Sequence, residues 1–246
     1  MTRVCMLLID MFKKVIITFI FVFASSSVFA KECVVLLHGM ARSESSMIKM
    51  AKELQKEGYI ISNYDYPSTS LQIEEIAKKH VPKAIAQCDK VDTINFVTHS
   101  LGGIVLRKFL RDNTLKQLGR VVMLGPPNKG SEVVDWLKDM PGFELINGPA
   151  GLQLGTGEDS VPNSLGPVTY PVGVIAGSST FNPVLSQMLP NPDDGKVSVE
   201  RTKVKGMTDH VVMPVTHTFM MNNDDVIKQV KAFLKTGKFL SQDTPS

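Results

Sequence analysis

From Cys33 to Lys235, short apolar runs alternate with stretches of helical period, and this alternation constrains the fold more than any other feature of the chain. Cys33–Leu37, Tyr59–Tyr66, Thr93–Thr98, Arg120–Leu124, Val172–Ala176 and Val211–Val215 read as strands. Met47, Met50, Ala51 and Leu54 recur at helical spacing, and Gly58 closes that helix. Thr69 with Gln72 forms a capping box for the next helix, whose apolar face holds Ile73, Ile76, Ala77, Ala84 and Ile85 and which Pro82 should kink. Helices are also expected at 104–110, 131–139 and 224–235. Strands separated by helices cannot be paired by hairpins. The pattern therefore predicts an α/β fold, with a mostly parallel central sheet of about six strands and helices on both faces.

The chain has 246 residues, 43% hydrophobic and 21% charged, ordinary for a globular protein with a substantial core. Residues 1–30 read as a signal peptide. Lys13 and Lys14 precede an apolar run from Val15 to Phe23, and Val28-Phe29-Ala30 fits a cleavage site before Lys31. An uncleaved anchor is the other reading of this segment, although the run is short for a membrane span. Met11 stands directly before the basic pair and offers a second start. Setting aside Arg3, Asp10, Lys13 and Lys14 leaves basic and acidic residues almost balanced, so no basic field for nucleic acid is expected. The remaining chain, 31–240, is expected to be one domain. Its 128–171 part, rich in Gly, Pro and Asn from Pro141 onward, reads as a cap or loop insertion, and 241–246 as a flexible tail.

The chemistry concentrates in Phe96-Val97-Thr98-His99-Ser100-Leu101-Gly102-Gly103. An apolar strand runs straight into a serine, and a glycine-opened helix follows at once. Such a turn lifts the hydroxyl above the sheet edge, and Gly102 lets the backbones approach closely. An ordinary serine in a strand–helix turn is the bland alternative. The segment resembles the nucleophile elbow of the α/β-hydrolase superfamily, and of bacterial lipases and esterases within it. The usual pattern is Gly-x-Ser-x-Gly, and Thr98 stands here at the first glycine. The resemblance implies an α/β-hydrolase fold with Ser100 as nucleophile. It also implies an oxyanion hole made by the backbone N–H groups of Leu101 and of Met40, the latter in the loop that follows Val34-Val35-Leu36-Leu37-His38-Gly39.

Five histidines compete as general base. His38 lies in the oxyanion loop and is read as a structural brace. His99 points away from the Ser100 side chain by strand alternation, and His80 sits mid-helix near Pro82. Active sites of open parallel sheets lie at the carboxyl ends of strands. His210 precedes its strand and falls at the wrong edge, whereas His217 follows it. The acid lies among Asp193, Asp194 and Asp209. Asp209 shares the edge of His210, and the resemblance of Asp194-Gly195-Lys196-Val197 to the Asp-Gly-x-Val turn of lipases selects Asp194, with Asp193 left as its rival.

The resemblance implies a serine hydrolase cleaving carboxylic esters through Ser100, His217 and Asp194, with an acyl-enzyme intermediate. A thioesterase, amidase or acyltransferase on the same triad is the alternative, as is a non-catalytic fold that binds a lipid or protein. The expected partner is a small-molecule or lipid ester. Contact with a membrane surface and the oligomeric state stay open. Leu124-Gly125-Pro126-Pro127-Asn128-Lys129-Gly130-Ser131 also resembles a lipase segment, with Asn128 in place of the usual histidine. Trp136, Leu137, Phe143 and Leu145 either line an apolar cleft or belong to the core. No cofactor and no metal are expected: no CxxC spacing is present, and the family's calcium site has no readable counterpart. Cys33 and Cys88 survive leader cleavage. In the fold implied they fall at the same edge of the sheet, so a disulfide is expected, with export to the periplasm or beyond.

Overall fold

The computed structural model describes residues 30–181, 186–187 and 189–241. Apart from Ala30 and Ser241, the expected leader and tail lie outside the described residues. Six strands form one sheet: β1 (Glu32–Leu37), β2 (Ile60–Tyr64), β3 (Thr93–His99), β4 (Leu118–Leu124), β5 (Val172–Gly177) and β6 (Asp209–Met213). Their order is β2-β1-β3-β4-β5-β6, and every neighbouring pair is parallel. The chain starts at β1, steps outward to β2, then crosses to β3 on the other side of β1. The loops after β1 and β3 therefore leave the sheet side by side, at the point where the strand order reverses.

Side chains alternate across the pleat, so each strand feeds two cores. Cys33, Val35 and Leu37 of β1 join Phe96, Val121 and Val174 under the helices Ile73–Lys79, Val81–Ala86 and Leu101–Asp112. Val34 and Leu36 join Val97, Val122 and Ile175 on the opposite face, against the helices Ile48–Lys56 and Asp224–Thr236. Both faces are covered, which is why the central strands carry near-continuous apolar runs. Among the described residues no helix is long and apolar enough to cross a membrane.

Several local expectations need correction. Thr69 is not a helix cap. The helix starts at Ile73 with Gln72 at its N-cap, and the Ile73 N–H, which has no partner within the helix, donates to the Gln153 side chain at 2.8 Å, a partner 80 residues away. The 141–171 stretch, read as a loop for its glycines and prolines, contains the helices Phe143–Leu152 and Val161–Ser164. The first bends at Gly148, whose positive φ of 65° makes a turn that places Pro149 at the head of a second helical piece. Strand β6 begins two residues earlier than expected, because Asp209 and His210 pair with Gly173 and Val174. Pro82 falls where the expected kink becomes a break: one helix stops at Lys79 and the next starts at Val81.

Cys33, near the start of β1, and Cys88, just past the helix Val81–Ala86, are joined by a disulfide with their Cα atoms 5.8 Å apart. It closes a loop of 55 residues that contains all of β2 and the helices Ile48–Lys56, Ile73–Lys79 and Val81–Ala86. A crosslink of this span stabilises mainly by restricting the unfolded chain. Replacing both cysteines by alanine should lower the free energy of unfolding by about 2–4 kcal/mol, read from denaturant melts of the oxidised protein and the double variant. Equal midpoints would show that the bridge does not constrain the chain.

Candidate active site

The site begins with the backbone of Ser100. Its φ of 50° and ψ of −119° lie outside the regions favoured for a residue with a side chain. Such a conformation costs about 1–3 kcal/mol and persists only where the surroundings enforce it. Here the Ser100 N–H donates to Leu124 O at 2.9 Å, prolonging the β3–β4 ladder by one step, while its carbonyl accepts from Gly103 N–H at 3.0 Å and starts the helix. The turn is compressed against β1: a Cβ on Gly102 would lie 2.5 Å from Leu37 O. Thr98, at the position where the resemblance expects glycine, is fully buried, and Gly103 makes room for it, since a Cβ there would lie 3.3 Å from Thr98 Oγ1.

The loop after β1 lies against this elbow. A Cβ on Gly39 would approach His99 Nδ1 to 2.6 Å and Ser100 Cβ to 3.4 Å. His38 braces the loop, as expected. Its Nδ1–H donates to Gly39 O at 2.8 Å, its Nε2 accepts from Tyr66 N–H at 3.2 Å, and its ring stacks on Tyr66 at 4.1 Å. The Tyr66 hydroxyl donates in turn to the His38 carbonyl. Among the described residues, the Met40 and Leu101 N–H groups have no hydrogen-bond acceptor.

Asp194 and His217 meet. His217 Nδ1–H donates to Asp194 Oδ2 at 2.7 Å, and the His217 backbone N–H donates to Asp194 O at 3.0 Å, so side chain and main chain are tied together. The other carboxylate oxygen, Oδ1, accepts from the Lys196 and Val197 amides at 3.0 and 2.8 Å. Both residues are buried. Because Nδ1 carries the proton toward Asp194, Nε2 keeps the lone pair. Asp193, the rival, is equally buried but used elsewhere: it accepts from Gly195 N–H at 2.7 Å and from the Ser186 hydroxyl at 2.6 Å, closing its own turn. The other histidines have separate partners. His210 lies 3.0 Å from the Thr202 hydroxyl and His80 lies 3.2 Å from the Tyr64 hydroxyl.

Ser100, Met40 and His217 line one cleft of about 370 Å³. No hydrogen bond joins Ser100 to His217 among the described residues; catalytic contacts are commonly loose before substrate binds. Leu137 and Phe143 line the cleft, whereas Trp136 and Leu145, 66% and 90% exposed, belong neither to its wall nor to the core. No group of histidine, cysteine or carboxylate side chains that could hold a metal ion occurs among the described residues.

Two buried residues were not assigned a place in the site from the sequence. His99 points away from the Ser100 hydroxyl side of the strand, yet it is part of the site. Its Nε2–H donates to the His217 carbonyl at 2.9 Å, and the two rings lie 4.9 Å apart. Arg107, in the helix that follows the elbow, donates to Asn128 O and Asn128 Oδ1 at 3.0 and 3.1 Å and to Gly166 O at 2.8 Å. It thereby holds the segment that carries Pro127 into the cleft wall. Burial lowers its pKa to about 10. Neither residue has a sequence signature, because each is defined by a partner in a distant loop.

No protein-family model matches this chain, and no curated protein does. Solved structures do. A lipase of Bacillus licheniformis superposes with a TM-score of 0.61 at 19% identity, over 85% of this chain and 93% of that one. An extracellular α/β-hydrolase of a Paenibacillus species gives 0.54 at 16% identity, over 84% and 99%. A phospholipase of Legionella pneumophila gives 0.53 at 20% identity, over 70% of this chain but 46% of that longer one. The fold is that of the α/β hydrolases. In this α/β-hydrolase fold the six-stranded parallel sheet carries Ser100, Asp194 and His217 on loops at one edge, those that follow β3, β5 and β6.

The buried histidines set a pH dependence. Burial, followed by the nearby His217, pushes the pKa of His99 well below its ordinary value, and burial also lowers those of His38 and His210. Each is thus harder to protonate in the folded protein than in the unfolded chain. Stability is therefore fully present above the unfolded pKa of about 6.5 and falls as the pH drops below it, by up to about 1.4 kcal/mol per pH unit for each such group. Urea melts between about pH 7 and pH 5 should show this loss, and His99→Gln, which cannot titrate, should flatten the slope. An unchanged slope in that variant would mean that His99 is not held neutral.

Proposed function

We propose that this protein is a serine hydrolase that cleaves carboxylic esters. The observation that carries the reading is the buried Asp194–His217 pair, 2.7 Å apart, whose imidazole lines one apolar cleft with a serine held at positive φ on a strand–helix elbow. In this reading His217 Nε2 takes the proton of the Ser100 hydroxyl as its Oγ attacks the ester carbonyl. The Met40 and Leu101 N–H groups stabilise the oxyanion that forms, and Asp194 stabilises the imidazolium. The imidazolium then gives its proton to the departing alcohol, leaving an acyl group on Ser100. Water, deprotonated by the same imidazole, releases the carboxylic acid and restores the hydroxyl. The apolar walls of the cleft, among them Val133, Val134, Leu137 and Phe143, suit an acyl chain. The solved lipase and phospholipase of the same fold support an ester of lipid character as substrate. The disulfide, together with the leader read in the sequence, supports export from the reducing cytoplasm.

Covalent labelling by a fluorophosphonate probe, followed by turnover of short-chain nitrophenyl esters, tests the proposal. Ser100→Ala should abolish labelling and lower kcat by at least about 10³-fold. Asp194→Asn should lower kcat by a similar order through loss of the correct imidazole tautomer. Asp193→Asn, which leaves the His217 contact in place, should cost far less. Full turnover in Ser100→Ala would end the reading.

A further inference from the structure

The cleft wall is apolar with one charged exception besides the histidine: among the described residues that line it, Lys196 alone carries a full charge. Its position is fixed by the machinery already described. The Lys196 N–H donates to Asp194 Oδ1 at 3.0 Å, and its carbonyl accepts from the Ser131 hydroxyl at 2.7 Å. The turn that seats the acid therefore also sets where the Lys196 side chain leaves the backbone. Arg42 follows the oxyanion-loop residue Met40 by two positions and is exposed. Lys196 is exposed as well, although its side chain lines the cleft. Neither side chain has a hydrogen bond or an ion pair with a carboxylate among the described residues. The acid nearest to Lys196, Asp194, is committed to His217.

Lys196 therefore places a cation on the cleft wall, and Arg42 adds positive potential to it. An exposed ammonium bordering an apolar wall attracts an anion placed beside it, by an amount that salt screens. Resting on the reading of Ser100 as nucleophile, we propose that the substrate carries a negatively charged group close to the scissile ester, bound by Lys196 while the acyl chain occupies the apolar wall. The class is an acyl ester with an anionic head, a phosphate or a carboxylate within a few bonds of the ester oxygen. A neutral ester would leave this attraction unused, and a cationic one would be repelled.

The test uses the purified full chain and three esters with the same acyl chain: 1-octanoylglycerol, 1-octanoylglycerol 3-phosphate and octanoyloxyacetate. The anionic esters should exceed the neutral one in kcat/KM by about tenfold at low salt, and the ratio should narrow as added salt screens the pair. Lys196→Gln should bring the ratio down severalfold, and Lys196→Arg should retain it. A preference confined to the phosphate compound assigns the head group to a phosphoester, and one shared by both anions assigns it to anionic charge in general; both support the proposal. Equal rates on neutral and anionic esters in the wild type, or a ratio that Lys196→Gln does not move, would overturn it. Should that variant fail to fold, Arg42→Gln and the salt series carry the same comparison. A wild type that cleaves none of the three esters sinks the underlying hydrolase reading and this inference with it. One that cleaves 1-octanoylglycerol without preference sinks the inference alone.

Discussion

The helix that opens at Leu101 starts where it does because Gly102 has no side chain. The Leu37 carbonyl at the end of β1 occupies the space a Cβ would need, so any other residue would push the helix away from the sheet. That contact draws the elbow and the loop after β1 together, and the rest of the site follows from their proximity. Ser100 can hold its strained backbone because the ladder to β4 on one side and the helix on the other fix its N–H and its carbonyl. Met40 can line the same cleft because Gly39 passes close to His99 and Ser100. Parallel pairing at the reversal of strand order supplies the frame, and two glycines supply the clearance.

The fold was legible because its signals are local and repeated. Apolar runs of strand length, glycines past helix ends and helical periodicity each fix one element, and a parallel sheet is the arrangement that satisfies all of them together. The 141–171 stretch escaped this logic. Gly148 and Pro149 normally break a helix, but here they join two helical pieces across a sharp bend. The misread cap at Thr69 has a similar cause. The first free N–H of that helix is satisfied by Gln153, far along the chain, and no local spacing can reveal such a partner. Trp136 and Leu145 show the limit of hydrophobicity as a guide, since both remain in solvent.

In the candidate site, residues placed by topology came together in the cleft, while residues defined only by tertiary contact were missed. His217 follows the last strand and Asp194 follows β5, so both had to reach the edge where Ser100 lies. The order of the strands is enough to say so. The choice between Asp193 and Asp194 is a matter of one residue's register. Both carboxylates are buried and both accept backbone amides, but only Asp194 faces the imidazole. Local sequence could narrow the pair but not separate it on physical grounds. His99 and Arg107 lie in a strand and a helix whose patterns they satisfy as ordinary members. Their work is done on the His217 carbonyl and on Asn128, which the sequence does not bring near.

The pairing of two imidazoles, the buried His99 and the cleft-lining His217, has its own physical logic. With the rings 4.9 Å apart, a charge on one opposes a charge on the other. Burial resolves the competition in one direction by holding His99 neutral. A neutral His99 has one N–H to give, and it gives it to the His217 carbonyl and not to the ring. The loop that carries His217 is thereby fixed without engaging the Nε2 lone pair that faces the cleft. The arrangement leaves His99 Nδ1 buried without a partner, at a cost of about 1–3 kcal/mol. A hydrophobic residue at this position would avoid that cost, but it would leave the His217 carbonyl without its donor in a buried setting. An unsatisfied nitrogen held against Gly39 is thus exchanged for a fixed carbonyl beside the imidazole, and local stability is given up where the geometry of the site requires it.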